Sequence, residues 1–384
     1  MLTPHIISQS LLESVEKDNF CGYDPFDGLN SKLFQLSGLN KYRIFRLAWL
    51  QLHKRLIINF RPLVGIQKKR NPKGVALFIL GMLYEFKTTG NNELLIKATE
   101  LGDWLLSQAC DRIKWKHFCW GYHFDWQAKA FYVPIGKPNV ISTVYASRAL
   151  NLLSEVTHDP RYKAAAYDAA LFISKNLYIE ETKYFSYIPG ESALVHNANL
   201  WAAAWCVFVG SKTKNQELIN KSLSAAETSI KAQSNDGSWQ YGERAHHNFI
   251  DGFHTGYNLE ALSLIRTSLN TDNFDKIIEQ GYTYYRENFF ESDGTAKYYN
   301  NSAFPVDTHN FSQAIITLIE IGGIIQEREL LQKLVNNAIG NLYLPKRKRF
   351  IYQKGRFITN KVNYTRWTQA WAYYSLSLYN YHSR

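Results

Sequence analysis

Cysteine is scarce in this chain and long apolar runs are absent. Among 384 residues there are four cysteines, Cys21, Cys110, Cys119 and Cys206, which form no C-x-x-C pair and match no zinc spacing. A disulfide scaffold is thereby excluded, and the usage fits a reducing compartment. The opening MLTPHIISQSLLESVEKDNF lacks the positive start and long apolar core of a secretory signal. No run reaches the roughly 18 apolar residues that span a bilayer; the nearest are GVALFILGMLYEF (74–86) and LWAAAWCVFVG (200–210). A cytoplasmic protein is expected. Metal signatures such as H-E-x-x-H are missing, so neither a metal nor another cofactor is expected. No basic stripe follows one helix and no nucleic-acid motif is present, which removes nucleic acid from the expected partners.

What is present is aromatic and basic. Phe, Trp and Tyr make up 15% of the chain, enough to line a large ring-faced surface as well as a core. The formal net charge of +11 favours anionic partners. Basic residues collect in GIQKKRNPKG (65–74) and LPKRKRFIYQKGR (344–356), both loop-like. An acidic polysaccharide or an anionic membrane face suits that distribution.

A repeat runs through the chain. Polar-to-apolar transitions recur at Ser142, His196, Asp251, Asp307 and Arg366, in steps of 54, 55, 56 and 59 residues. Each follows a loop rich in aromatics: CWGYHFDWQ (119–127), KYFSYIPGE (183–191), GSWQYGE (237–243), AKYYNNS (296–302) and KRFIYQKGR (348–356). Each unit then holds a helix apolar over most of its surface, expected inside, and a more charged helix with one apolar stripe, expected outside. Residues 71–90 supply another inner helix, 92–109 its outer partner, and 41–59 an outer helix beside the last inner one. Six of each predict an all-α fold, an (α/α)6 toroid or six-hairpin barrel. The division expected is an N-terminal extension over 1–40 that contributes a rim loop, and a single toroid domain over 41–384. An open solenoid is the competing arrangement, but it calls for polar capping helices, and the last helix, WTQAWAYYSLSLY, is aromatic throughout.

Parallel inner helices bring their N-termini to one rim, and the feeding loops form a funnel. The acid–base candidates delivered there are Asp125, Glu243, Asp251, His254, Asp307 and His309. Candidates for binding a sugar are Asp24, Asp27, Trp126, His196, Trp239, Tyr241, Tyr257, Arg366 and Trp367. Aromatic rings stack on pyranose faces, while acid and base groups must flank the bond that reacts. The plain structural reading stands beside this one: Asp251 and Asp307 each start a helix, where capping alone accounts for a carboxylate. A lone histidine such as His196 is more often a satisfied core group. For a uronic-acid polymer, Tyr241, Tyr257, His254, His309 and Arg366 suit proton abstraction and carboxylate neutralisation. Hydrolysis, β-elimination and epimerisation all remain open, as does a non-catalytic glycan-binding or assembly scaffold.

At GYDPFDGLNS (22–31), WGYHFDWQ (120–127), DGSWQYGE (236–243), IDGFHTGYNLEAL (250–262) and RWTQAW (366–371), the sequence resembles bacterial toroid proteins of surface-polysaccharide (capsule or exopolysaccharide) biosynthesis, related in fold to six-hairpin glycosidases. The resemblance runs over nearly the whole chain. It implies a glycan context: a carbohydrate-active protein whose partner is an acidic polysaccharide or lipid-linked glycan, with peripheral association to the membrane or to biosynthetic proteins. It carries over no catalytic pair. A weaker resemblance links DGSWQYGE to the Q-W repeat of terpenoid cyclases and protein prenyltransferases. Their D-x-D-D or D-D-x-x-D motifs and zinc-binding cysteine are missing here.

Overall fold

Residues 3–129 and 131–384 are described in a computed structural model. Six inner helices, Pro72–Thr89, Val140–Thr157, His196–Thr213, Gly252–Leu269, Thr308–Thr317 and Ala370–His382, pack in chain order, and the last closes on the first. Burial explains their position. His196–Thr213 buries residues on every side, from His196 through Trp201 and Trp205 to Gly210, so it is stable only with neighbours all round. The outer helices bury one stripe, as in Asp275–Asn288, where Ile278, Gly281, Tyr284 and Tyr285 face inward. The toroid is closed, as the repeat predicts.

The two ends of the ring differ. At one end, inner helices stop on left-handed residues, Gly90, His158 and Lys214, and the outer helix begins two residues later. At the other end the connections are long: 108–139, 177–195, 231–251 and 289–307. Long loops over a rigid scaffold are where sites are built. Asn71, Asn139, Asp251 and Asp307 cap four inner helices on this rim, each side chain accepting from a first-turn backbone N–H.

One sequence expectation is corrected. The outer helix beside the C-terminal inner helix is Pro4–Glu16, not 41–59. Pro4–Glu16 buries Ile7, Leu11, Leu12 and Val15 on one stripe, whereas Arg43–Arg55 buries only Leu50 and His53. Arg43–Arg55 instead packs on the turn Asp27–Asn30 and the strand Trp126–Gln127, as part of a cover over the rim. Residues 4–16 therefore belong to the ring rather than to an extension before residue 41. Residues 21–31 form a loop that reaches the last inner helix, where Thr365 N–H donates to Tyr23 O at 3.1 Å.

Candidate active site

The rim is assembled by one recurring contact. The first N–H groups of a helix have no partner within it. Here they find carbonyls of tyrosines in the next loop: Val140 N–H donates to Tyr187 O at 3.0 Å, His196 to Tyr241 at 3.2 Å, Gly252 to Tyr298 at 3.0 Å and Thr308 to Tyr352 at 3.2 Å. Thr365 N–H donates to Tyr23 O at 3.1 Å, which stitches the N-terminal loop to the last inner helix and closes the circle. At the sixth junction Asn71 Nδ2 meets His123 Nδ1 at 2.9 Å, next to Tyr122.

Inside this rim the second residue of an inner helix points to the centre, as Lys73, His309 and the equivalently placed Arg366 do. Asp307 sits just before that turn. Its Oδ1 accepts from Asn310 N–H at 3.1 Å, and its Oδ2 accepts from Gln353 Nε2 at 2.7 Å and more weakly from Trp367 Nε1 at 3.5 Å. All three donors are neutral, so burial prevails and pushes the Asp307 carboxyl up to about 6. His309 Nε2 lies 2.6 Å from the Tyr257 hydroxyl, and its ring stacks on Trp371 at 4.5 Å. Burial, with Lys73 and Arg366 nearby, holds the imidazole well below its ordinary range, so it is neutral at pH 7. Among the described residues its Nδ1 is buried with no hydrogen-bond partner, an arrangement that is costly unless a ligand completes it. Asp251 does two jobs: Oδ1 caps His254 N–H at 2.9 Å, and Oδ2 meets His254 Nδ1 at 2.7 Å. That fixes the imidazole and leaves Nε2 as the nitrogen not committed to Asp251. The His254 and His309 rings each lie 6.0 Å from Tyr257.

Of the sequence-predicted residues, Asp251, His254, Tyr257, Asp307, His309, Tyr241 and Trp367 come together here. Tyr241 packs on His254 at 4.5 Å, and Trp367 on His309 at 4.5 Å. Arg366 adjoins them, but its Nε and Nη2 donate to Asp24 at 2.6 and 2.8 Å. Asp27 accepts from Arg61 Nε at 2.7 Å. These two pairs lock the N-terminal loop onto the ring. Trp126 reaches the centre through Phe26, 6.0 Å from it and 5.3 Å from Trp367, and packs on Tyr122 at 6.1 Å. Asp125 accepts from Ile135 N–H at 2.6 Å, tying down the hairpin that Trp126 begins. Three others lie elsewhere. His196 turns to Ser229 on an outer helix at 3.0 Å, its imidazole lowered to about 4 by burial. Trp239 donates to Ser229 O at 3.0 Å and packs flat on Gly281, where a side chain has no room. Glu243 is exposed at the outer end of its loop.

Sequence reasoning missed Lys73, Lys54 and Gln353. Lys73 falls within the basic run GIQKKRNPKG, yet it is buried. Its ammonium lies 4.5 Å from the Tyr145 ring, 5.0 Å from Trp371 and 5.4 Å from Tyr257. The available signal was position: Lys73 occupies the same second place in its helix as His309. Lys54 comes from the cover, its ammonium 5.0 Å from the Phe26 ring, lowered by burial and raised by Asp307. Tyr145 and Trp201 are buried within the ring, with the Arg148 guanidinium 5.4 and 4.5 Å from their rings, and Glu260 is pushed up to about 7 by burial. At the rim Phe26, Tyr241, His254, Gln353 and Trp367 stay partly exposed, which gives the site access to solvent.

No family model matches the chain, and no curated protein matches it in sequence. Solved structures do. A crystal structure of an unsaturated glucuronyl hydrolase specific for heparin aligns with a TM-score of 0.63 and 11% identity, over 99% of this chain and 96% of the other. Cellobiose 2-epimerase from Bacillus thermoamylovorans aligns at 0.61 and 12%, over 80% and 87%. A family 76 α-mannanase of Bacteroides thetaiotaomicron aligns at 0.60 and 11%, over 82% and 87%. At these identities the likeness is one of fold: the chain shares the (α/α)6 toroid of six-hairpin glycosidase-like proteins.

Proposed function

We propose that this protein is a carbohydrate-modifying enzyme, working by proton transfer at the rim on an acidic glycan of surface-polysaccharide biosynthesis or processing. Asp307 serves as the proton donor, His309 as the proton acceptor through Nδ1, and His254, oriented by Asp251, as a second acid–base group. Trp367 and Tyr241 present ring faces to the sugar. Lys54 is the cation that meets its carboxylate. One observation carries the reading: a buried carboxyl pushed up to about 6 beside a neutral imidazole whose Nδ1 has no partner. Environments that push two titratable groups apart are how one site holds an acid and a base at the same pH. That the structural neighbours include hydrolases and an epimerase of sugars supports the same class.

The test is incubation with unsaturated glucuronyl oligosaccharides, neutral and acidic bacterial polysaccharides and free disaccharides in deuterated water. Products are read by mass, by ultraviolet absorbance of unsaturated uronate and by deuterium at carbon. Hydrolysis changes mass without carbon-bound deuterium, elimination creates absorbance, and epimerisation incorporates deuterium without cleavage. Saturable glycan binding with no product from any arm overturns the enzyme reading in favour of a binding scaffold.

A further inference from the structure

The rim cover turns the unusual side of its helix to water. In Arg43–Arg55 the side chains of Leu50 and His53 are buried, while Ile44, Ala48 and Leu52, spaced four apart, form an exposed apolar stripe. The pattern continues beyond the helix: 11 of the 19 exposed large hydrophobic residues lie between Leu33 and Leu63, with Leu36 87% and Leu63 80% exposed. Monomeric surfaces rarely gather apolar side chains this way without a partner. The charge around them has one sign. From Gly28 to Tyr84 there are eleven lysines and arginines and no aspartate or glutamate; Lys32, Lys41, Arg43 and Arg55 are exposed beside the stripe.

We propose that this face docks the rim side of the molecule onto an anionic lipid bilayer, with the helix Arg43–Arg55 lying in the headgroup layer and Ile44, Ala48 and Leu52 directed into it. An apolar stripe on a segment that carries cations and no acidic residue of its own matches such a surface. A second copy of the chain does not match, because pairing this face with itself opposes like charges. Among the described residues no helix is long and apolar enough to cross a membrane, so the segment lies on the bilayer rather than through it. The same helix holds the rim: Trp49 Nε1 donates to Gly28 O at 3.0 Å, and Lys54 interacts with Asp307. Docking therefore places the rim opening next to the membrane, where a glycan carried on a lipid would be presented. The proposal does not depend on which reaction the site performs.

Co-flotation of the full chain tests it, with vesicles of phosphatidylcholine alone and of phosphatidylcholine with about a third phosphatidylglycerol. The expected result is flotation with the anionic vesicles only, weakened at least tenfold by Ile44→Glu with Leu52→Glu and separately by Arg43→Gln with Arg55→Gln. Thermal midpoints should stay unchanged, since these side chains are exposed. Three results overturn the proposal: no flotation with anionic vesicles, flotation indifferent to Ile44→Glu with Leu52→Glu, or a dimer by light scattering that those substitutions dissociate in a protein that does not float.

Discussion

Two sets of aspartates stand in the same rim with opposite fates. Asp24 and Asp27 each meet a buried guanidinium, Arg366 and Arg61, and are consumed in holding the loop to the ring. Asp307, equally buried, accepts hydrogen bonds from Gln353, Trp367 and backbone N–H groups, none of them charged. Burial does not distinguish the sets, since it pushes both Asp27 and Asp307 up to about 6; what differs is the hydrogen-bond partner, a guanidinium for Asp24 and Asp27 and neutral donors for Asp307. A guanidinium bonded to the carboxylate makes it a clamp even where burial raises its pKa, as at Asp27, whereas neutral donors leave the Asp307 carboxyl unclamped and able to exchange a proton.

The largest effect is expected from breaking the clamp. Arg366→Ala leaves the Asp24 carboxylate buried and unpaired, which costs about 3–5 kcal/mol and should show as a large drop in thermal midpoint. Asp307→Asn keeps an N-cap of similar quality, so the midpoint should move by only a few degrees. Turnover on any substrate found should fall about 10²–10⁴-fold, the usual scale for a general acid or base. Equal loss of stability in both variants would erase the distinction.

Acidity sharpens the comparison further. The folded Asp307 pKa is about 6, against an ordinary value of 3.8. A raised pKa contributes stability while the group is protonated, and that contribution is lost as pH rises between these values. Relative to Asp307→Asn, the native protein should lose about 3 kcal/mol from about pH 4 to about pH 6 and change little above. Chemical denaturation of both proteins across that range measures it. Tyr257→Phe removes the hydroxyl 2.6 Å from His309 Nε2, for which about a tenfold loss of turnover is expected, the scale of one hydrogen bond. Exposed Glu243→Gln should change stability by less than about 0.5 kcal/mol and leave turnover intact.

Much of this was legible before any coordinates. The repeat positions Ser142, His196, Asp251 and Asp307 fall at or within two residues of inner-helix starts, and Arg366 lies in the π-helical turn Thr365–Gln369 that leads into the last one, because alternation between all-round and one-sided apolar patterns is a direct image of inner and outer layers. The pairing of Asp251 with His254 was also within reach, since three residues along a helix start bring a cap and a side chain together. The stretch 41–59 has the apolar content of an outer helix, but that content does not tell which side of the helix faces the protein, and here Ile44 and Leu52 face solvent. Trp239 and His196 read like site residues because aromatic and imidazole groups at a rim look alike in one dimension, whichever way they turn. The recurring tyrosine in each loop was visible but unused; its contribution is a backbone carbonyl, which sequence identity does not announce.

The sequence by itself determined most of the ring: the inner layer, five of the six outer helices and the delivery of polar residues to one end follow from periodicity and local capping, interactions that span only a few residues. Tertiary structure alone decided which carboxylate is a clamp and which is free to exchange a proton. Asp24 and Arg366 are 342 residues apart in the chain, and the electrostatics of a buried group depend on neighbours that only the closing of the ring brings within reach.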